Sequence, residues 1–250
     1  MLKKIAVIPA RLEAQRFPKK LLQDLGGAPV IVRTYEAVKN TQLFDEVIVA
    51  TDSNDIYQTI LQYDGSAVLS TKEHDCGSNR IAEAVENLDY DIVVNVQGDE
   101  PFTNREDLER LIGVFEKDNN QEIALASLMH VLEDEDDIND PNNVKVITDT
   151  FDNAIYFSRS PIPFIRDNGV SMNVHKHIGI YAFRKQALLD FYHSKPTPLE
   201  LAEKVECIRY LEYGKKIRMV HTSSQTIGID TPTDLEKARL YWEKWNRLNS

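Results

Sequence analysis

The chain has little cysteine, no long apolar run and a shortage of basic side chains. Cys76 and Cys207 are its two cysteines, far apart in sequence and in neither a CxxC pair nor a zinc-ligand spacing. That excludes a disulfide scaffold and a zinc ribbon, and predicts two free thiols in a reducing compartment. No stretch approaches the roughly 20 apolar residues of a membrane span. The opening MLKKIAVIPAR holds only a four-residue apolar run, too short for a signal-peptide core. A soluble, cytoplasmic protein with no membrane insertion is the expectation. Lys and Arg number 29 against 40 Asp and Glu, a formal charge of −11. Nucleic acids and anionic membranes are polyanions, so neither is an expected partner. Also missing are GxGxxG, GxxxxGK[ST] and GxSxG, which removes the usual dinucleotide fold, the P-loop kinase and the hydrolase elbow.

What is present is an ordinary globular composition, 42% AVILMFWYC with 10 glycines in 250 residues. A chain of this length buries a large core without staples. Short apolar runs alternate with helical patterns. Strands are predicted at Ile5–Ile8, Glu46–Ala50, Asp91–Val96 and Ile123–Val131. Helices are predicted at 28–40, from the N-cap Ser53 to about Tyr63, at 78–88 and at 104–117. This alternation argues an α/β fold, a doubly wound Rossmann-like parallel sheet. After residue 132 the pattern changes. Glu133–Asp137 reads as a solvated acidic loop. Short strands follow at Val144–Val146, Ala154–Phe157 and Ile178–Ala182, with an irregular loop at 160–176 and helices at 199–213 and 232–246. The expectation is one domain spanning 1–250, with a small α/β lobe for substrate and dimerisation inserted at roughly 150–215.

In open α/β sheets ligands bind beyond the carboxyl ends of the strands. The segment after the first strand, Pro9 to Lys20, is rich in cations. Residues 1–22 hold Lys3, Lys4, Arg11, Arg16, Lys19 and Lys20 against the single acid Glu13, a local +5. Guanidinium forks and a lysine point charge at a strand end suit a polyphosphate, although a solvated loop would look similar. Val94–Pro101 runs off a central strand, with Gly98 permitting close backbone approach and Asp99 following it. Asp230 sits in GIDTP ahead of the last helix. Each aspartate alone reads equally as a turn or cap residue; together, beside a cationic loop, they suit a Mg²⁺–phosphate site. The segment His74–Glu83 is a Gly-Ser turn opening a helix, whose free N–H groups suit a base edge or hydroxyl. His175 and His177 form an HxH with no third ligand in sight.

Eight blocks then occur in order: IPARLEAQRFPKKLL, VIVATD, HDCGSNRIAEA, VNVQGDEP, NNVKV, YFSRSPIP, HIGIYAF and GIDTPTDLEKAR. Together they resemble the 3-deoxy-D-manno-octulosonate (Kdo) cytidylyltransferases over nearly the whole chain. The resemblance implies a reaction in which the anomeric hydroxyl of Kdo attacks the α-phosphate of CTP, giving CMP-Kdo and pyrophosphate for lipopolysaccharide assembly. It implies a cytoplasmic homodimer that uses Mg²⁺. Arg11 and Lys20 match the family's phosphate loop, and Arg16 lies in the same motif. Asp99 and Asp230 match its two magnesium-binding aspartates. Pro9, Ala10, Gly77, Ser78 and Arg80 fall in its nucleotide blocks. Gln97, Arg159, His177, Tyr181 and Glu206 fall in blocks associated with Kdo.

Some positions depart from that pattern. Lys19 stands where the family commonly has glycine, which predicts a different turn, since lysine adopts positive φ only at a cost. Cys76 and Asn79 replace residues that are often Ser and Glu. Besides a non-enzymatic nucleotide-sensing module, which the presence of both Asp99 and Asp230 disfavours, two alternatives stay open at this level: a cytidylyltransferase for another acidic sugar, such as a sialic acid or 8-amino-Kdo, and a GT-A glycosyltransferase. The latter would not be expected to need the dense Arg/Lys loop.

Overall fold

A computed structural model of the chain describes residues 2–12, 17–74, 76–167, 169–170, 172–223 and 228–249. The chain divides into two compact units, one formed by Met1–Leu108 with Ser224–Ser250, the other by Glu109–Ser223. The second unit therefore begins earlier than the lobe expected at 150–215. Its founding strand is the long apolar run after residue 122, whose pairing partners all come later in the chain.

In the first unit, β1 (Lys4–Ala10) leads through a loop to the two-residue strands β2 (Asp24–Leu25) and β3 (Ala28–Pro29), then to α1 (Val30–Asn40). β4 (Glu46–Thr51), α2 (Asn54–Gln62), β5 (Ala67–Leu69), α3 (Gly77–Val85) and β6 (Ile92–Asn95) follow. The main strands lie parallel in the order β6-β1-β4-β5. Ile5 to Ile8 of β1 are fully buried, as a central strand covered on both faces requires. Helix α1 starts two residues later than expected because Ala28 and Pro29 pair with Leu25 and Asp24. The predicted cap of α2 is present: Ser53 Oγ accepts from the Ile56 N–H.

Helix α4 (Arg105–Lys117) leads into the second unit. There β7 (Ile123–Leu132) is followed by α5 (Glu135–Asn139), β8 (Lys145–Thr148), β9 (Ala154–Ser158), β10 (Val174–Arg184), α6 (Lys185–His193), α7 (Pro198–Glu203), α8 (Cys207–Glu212) and β11 (Lys216–His221). β7 pairs antiparallel with β10 and parallel with β11, and β8 joins β10 to β9. The acidic run is not a loop throughout. Asp134 caps α5 by accepting from the Asp136 N–H at 2.8 Å, and acids in a first turn suit the helix dipole. The single helix expected at 199–213 is two. Lys204 takes φ +54 and ends α7, which Thr197 and Glu200 open with a capping box. The last helix, α9 (Pro232–Asn249), returns to the first unit. No helix among the described residues is long and apolar enough to cross a membrane.

Candidate active site

The strand order of the first unit turns back on itself at β1. The chain builds outward through β4 and β5, then returns to place β6 on the other side of β1. The loops leaving β1 and β6 diverge at such a point and open a crevice beyond the strand ends. Lys20 comes from the first loop and Asp99 from the second. Lys20 Nζ lies 2.5 Å from Asp99 Oδ2 and 3.0 Å from Asp230 Oδ1. Burial alone would lower the Lys20 pKa; the two carboxylates outweigh it and raise it.

Each partner is held in place by its backbone. Gly98 is buried where a Cβ would stand 3.0 Å from Ile31 Cδ1 and 3.2 Å from the Pro9 carbonyl, so a side chain there would push β1 and the 97–100 turn apart. Its carbonyl accepts from Thr34 Oγ1 of α1 at 2.9 Å. Asp99 in turn accepts at its carbonyl from the Ile229 N–H, 3.0 Å, which brings the GID segment alongside. Lys19 keeps the left-handed turn despite having a side chain: its φ is +55. That conformation costs about 1–2 kcal/mol for a non-glycine residue. The Lys19 N–H donates to the Leu12 carbonyl at 3.3 Å and its carbonyl accepts from Leu22 at 3.0 Å, bonds that offset the cost. The Lys19 side chain is exposed while Lys20 points at the carboxylates.

The first unit also holds a cavity of about 650 Å³ whose walls include Arg11, Leu12, Asp52, Glu73, His74 and Arg80. Arg11 Nη2 donates to the His74 carbonyl at 2.8 Å. Arg80 is fully buried, donating from Nη2 to Asp52 Oδ2 at 2.6 Å and from Nη1 to Ser70 Oγ at 3.2 Å. Its Nε is buried with no hydrogen-bond partner among the described residues. Gly77 opens α3 where a Cβ would sit 3.8 Å from the Pro9 ring, and Ser78 beside it is buried. Pro9, Ala10, Arg11, Gly77, Ser78 and Arg80 thus belong to one unit, around the carboxyl end of β1. Arg16 lies outside the described residues.

Arg159, His177, Tyr181 and Glu206 fall in the second unit, and Gln97 in the first. His177 is buried, its Nε2 3.0 Å from Ser127 Oγ, with Phe157 edge-on and Tyr181 tilted beside it. Burial pushes the His177 pKa down to about 4, so the ring is neutral at pH 7. Glu206 is the N-cap residue of α8, next to Cys207, whose sulfur is 4.0 Å from His177 Nε2. Arg159 is committed to the main chain: it donates to the carbonyls of Glu203 at 2.7 Å, Pro141 at 2.9 Å and Lys204 at 3.4 Å. The two histidines of the HxH have different neighbours, since the His175 ring meets His221 at 5.1 Å. Among the described residues no group of three or more His, Cys, Asp or Glu side chains is arranged to hold a metal ion. Magnesium is commonly held by one or two carboxylates, with substrate phosphates and water completing its shell. Two carboxylates already gathered on one cation fit that requirement.

Three residues escaped the sequence reading. Asp52 closes the VIVATD strand at the same sheet edge, a position that could have marked it. Glu83 lies inside the quoted HDCGSNRIAEA block. Lys145 is fully buried and donates to the carbonyls of Asp140 and Arg159, and burial lowers its pKa; nothing in its local sequence predicts burial of a lysine.

A family model described as cytidylyltransferase matches residues 5–217. The chain is 62% identical to a 3-deoxy-manno-octulosonate cytidylyltransferase of Christiangramia forsetii, over 94% of this chain and 95% of that one. It is 58% identical to the protein of that name from Flavobacterium johnsoniae, over 95% and 98%. Among solved structures, a CMP:2-keto-3-deoxy-manno-octonic acid synthetase complexed with CTP superposes with a TM-score of 0.91 at 35% identity, covering 97% of this chain and 99% of that one. A 4-diphosphocytidyl-2C-methyl-D-erythritol synthase of Anaerococcus prevotii, at 21% identity and a TM-score of 0.63 over 96% and 99% of the two chains, shares the fold. The chain belongs to the 3-deoxy-manno-octulosonate cytidylyltransferase family.

Proposed function

We propose that the chain transfers the cytidylyl group of CTP to the anomeric hydroxyl of Kdo. The sugar oxygen forms a bond to the α-phosphorus, the bond to the β-phosphate oxygen breaks, and pyrophosphate leaves. The observation that carries this reading is the meeting of Lys20 with Asp99 and Asp230 at the switch point of the sheet. A triphosphate entering there gives Lys20 a new anionic partner, and Arg11 adds a guanidinium from the same loop. Asp99 and Asp230 are the residues that would hold Mg²⁺, which supplies charge neutralisation and Lewis-acid polarisation of a phosphoryl oxygen. Arg80 fixes Asp52 on the cavity wall, and α3 opens at Gly77 close to the Pro9 ring.

For the sugar acid we assign Gln97, Arg159, His177, Tyr181 and Glu206. Neutral His177 serves there as a hydrogen-bonding group, with no charge to offer the Kdo carboxylate. Arg159 retains two of its five N–H donors beyond those given to carbonyls, and these suit a carboxylate. We further assign a homodimer. Phe151, Ile155, Phe164, Val170 and Met172 of the second unit are exposed apolar side chains, of the kind a second copy covers. Both cysteines are free thiols, in keeping with a cytoplasmic enzyme.

The test is pyrophosphate release from purified protein with Mg²⁺ and CTP, with and without Kdo. Release is expected only when Kdo is present. Absence of Kdo-dependent release overturns the reading, and release with a sialic acid in its place would assign another acidic sugar.

A further inference from the structure

Glu83 lies on α3, about one and a half turns in from the Gly77–Ser78 opening, and makes no hydrogen bond or ion pair with Arg11 itself. Its carboxylate instead gathers the segment that runs from β5 to α3. Glu83 Oε1 accepts from the Thr71 N–H at 3.0 Å and also from the Thr71 hydroxyl. Glu83 Oε2 accepts from His74 Nε2 at 2.5 Å, with both side chains largely buried. Burial alone would raise the Glu83 pKa; the bonds from Thr71 and His74 outweigh it and lower it, so the carboxylate is ionised when it holds them. The main-chain carbonyl of the same His74 accepts from Arg11 Nη2 at 2.8 Å, and Arg11, Glu73 and His74 all line the 650 Å³ cavity. An arginine on an exposed loop has rotamer freedom to lose on binding a phosphate. A carbonyl fixed in advance removes part of that cost before the nucleotide arrives.

We propose that Glu83 is a positioning residue for the nucleotide: by tying down Thr71 and His74 it fixes the carbonyl that aims the Arg11 guanidinium. The inference rests on the reading of Arg11 as a phosphate ligand. Glu83 itself touches no substrate in this scheme. Its loss lets the 71–74 segment relax and sets Arg11 free to sample solvent.

The experiment is a double-mutant cycle on CTP affinity, measured by calorimetry without sugar, using Glu83→Ala, Arg11→Ala and the pair. Glu83→Ala is expected to weaken CTP about tenfold, the loss of roughly one charge-assisted hydrogen bond. The KM for the sugar acid should stay within about twofold of wild type, since the effect is confined to the phosphate loop. In the Arg11→Ala background, Glu83→Ala should cost nothing further. Glu83→Gln retains an oxygen for Thr71 and should recover most of the affinity. Additive losses in the cycle overturn the proposal, as does a lowered melting temperature with unchanged CTP affinity. If Glu83→Ala does not fold, Thr71→Val takes its place in the cycle, with a smaller loss and the same non-additivity expected. Failure of wild-type protein to bind CTP would instead overturn the assignment of the site.

Discussion

In the first unit two cations at the strand ends, Lys20 and Arg80, are bonded to carboxylates. Lys20 is shared by Asp99 and Asp230, and Arg80 is paired with Asp52. The second unit has ion pairs of its own, such as Arg209 with Glu200, but three of its polar groups are bonded to the main chain or sit dry. Arg159 lies on three carbonyls, Lys145 on two, and His177 against Ser127 among aromatic rings. The first arrangement can be exchanged, because a cation and a polyanion offer each partner an equivalent bond when the internal one breaks. The second offers no such exchange of charge, because its cations Arg159 and Lys145 lie on neutral carbonyls rather than on carboxylates. One unit therefore holds charges in reserve for ligands, and the other builds a rigid frame around a few remaining donors.

The sharpest way to break this comparison is to remove the exchangeable charges. Asp99→Asn and Asp230→Asn are each expected to lower kcat about a thousandfold, the scale of losing transition-state charge stabilisation. Folding should persist by circular dichroism, since the bonds they make are to a lysine that water can also serve. Near-normal turnover in either variant would remove that residue from the mechanism.

Arg159→Lys tests the other half. A lysine ammonium cannot span three carbonyls from three different residues, so the substitution should cost about 2 kcal/mol of stability by urea titration. A variant as stable as wild type, with only the sugar KM raised, would mean that Arg159 is a ligand group like those of the first unit.

The parallel half of the fold was legible because its strands are continuous apolar runs and its site lies where strand order demands. Lys20, Asp99 and Asp230 could be named from one chain because each follows such a run or precedes a helix. The second unit was less legible. β11 alternates buried Ile217 and Met219 with Arg218 and Val220, a period too short and too charged to stand out beside the strands of the first unit. The break at Lys204 depends on a left-handed residue that only a helical terminus reveals. Most of all, the side-chain contacts of Arg159 run to backbone atoms of distant segments, and backbone atoms carry no sequence signature, while His177 meets side chains as far away in sequence as Ser127. A resemblance could mark these residues as important, yet it could not say that Arg159 gives most of its donors to carbonyls.

The smallest effect separates a dry histidine from a charged one. The ordinary histidine pKa of 6.5 applies to the unfolded chain, and burial lowers it to about 4 for His177 in the fold. Between those values the unfolded state binds more protons, so stability rises with pH across that window. The contribution is complete above the unfolded value and is lost as pH falls toward 4. From pH 7 to about pH 5.5 this one group should cost the wild type about 1 kcal/mol. His177→Gln keeps a polar group for Ser127 but cannot titrate, so its urea midpoint should fall less over the same range. Equal falls in the two proteins would mean that water reaches the ring, and that the second unit is not the dry frame its contacts describe.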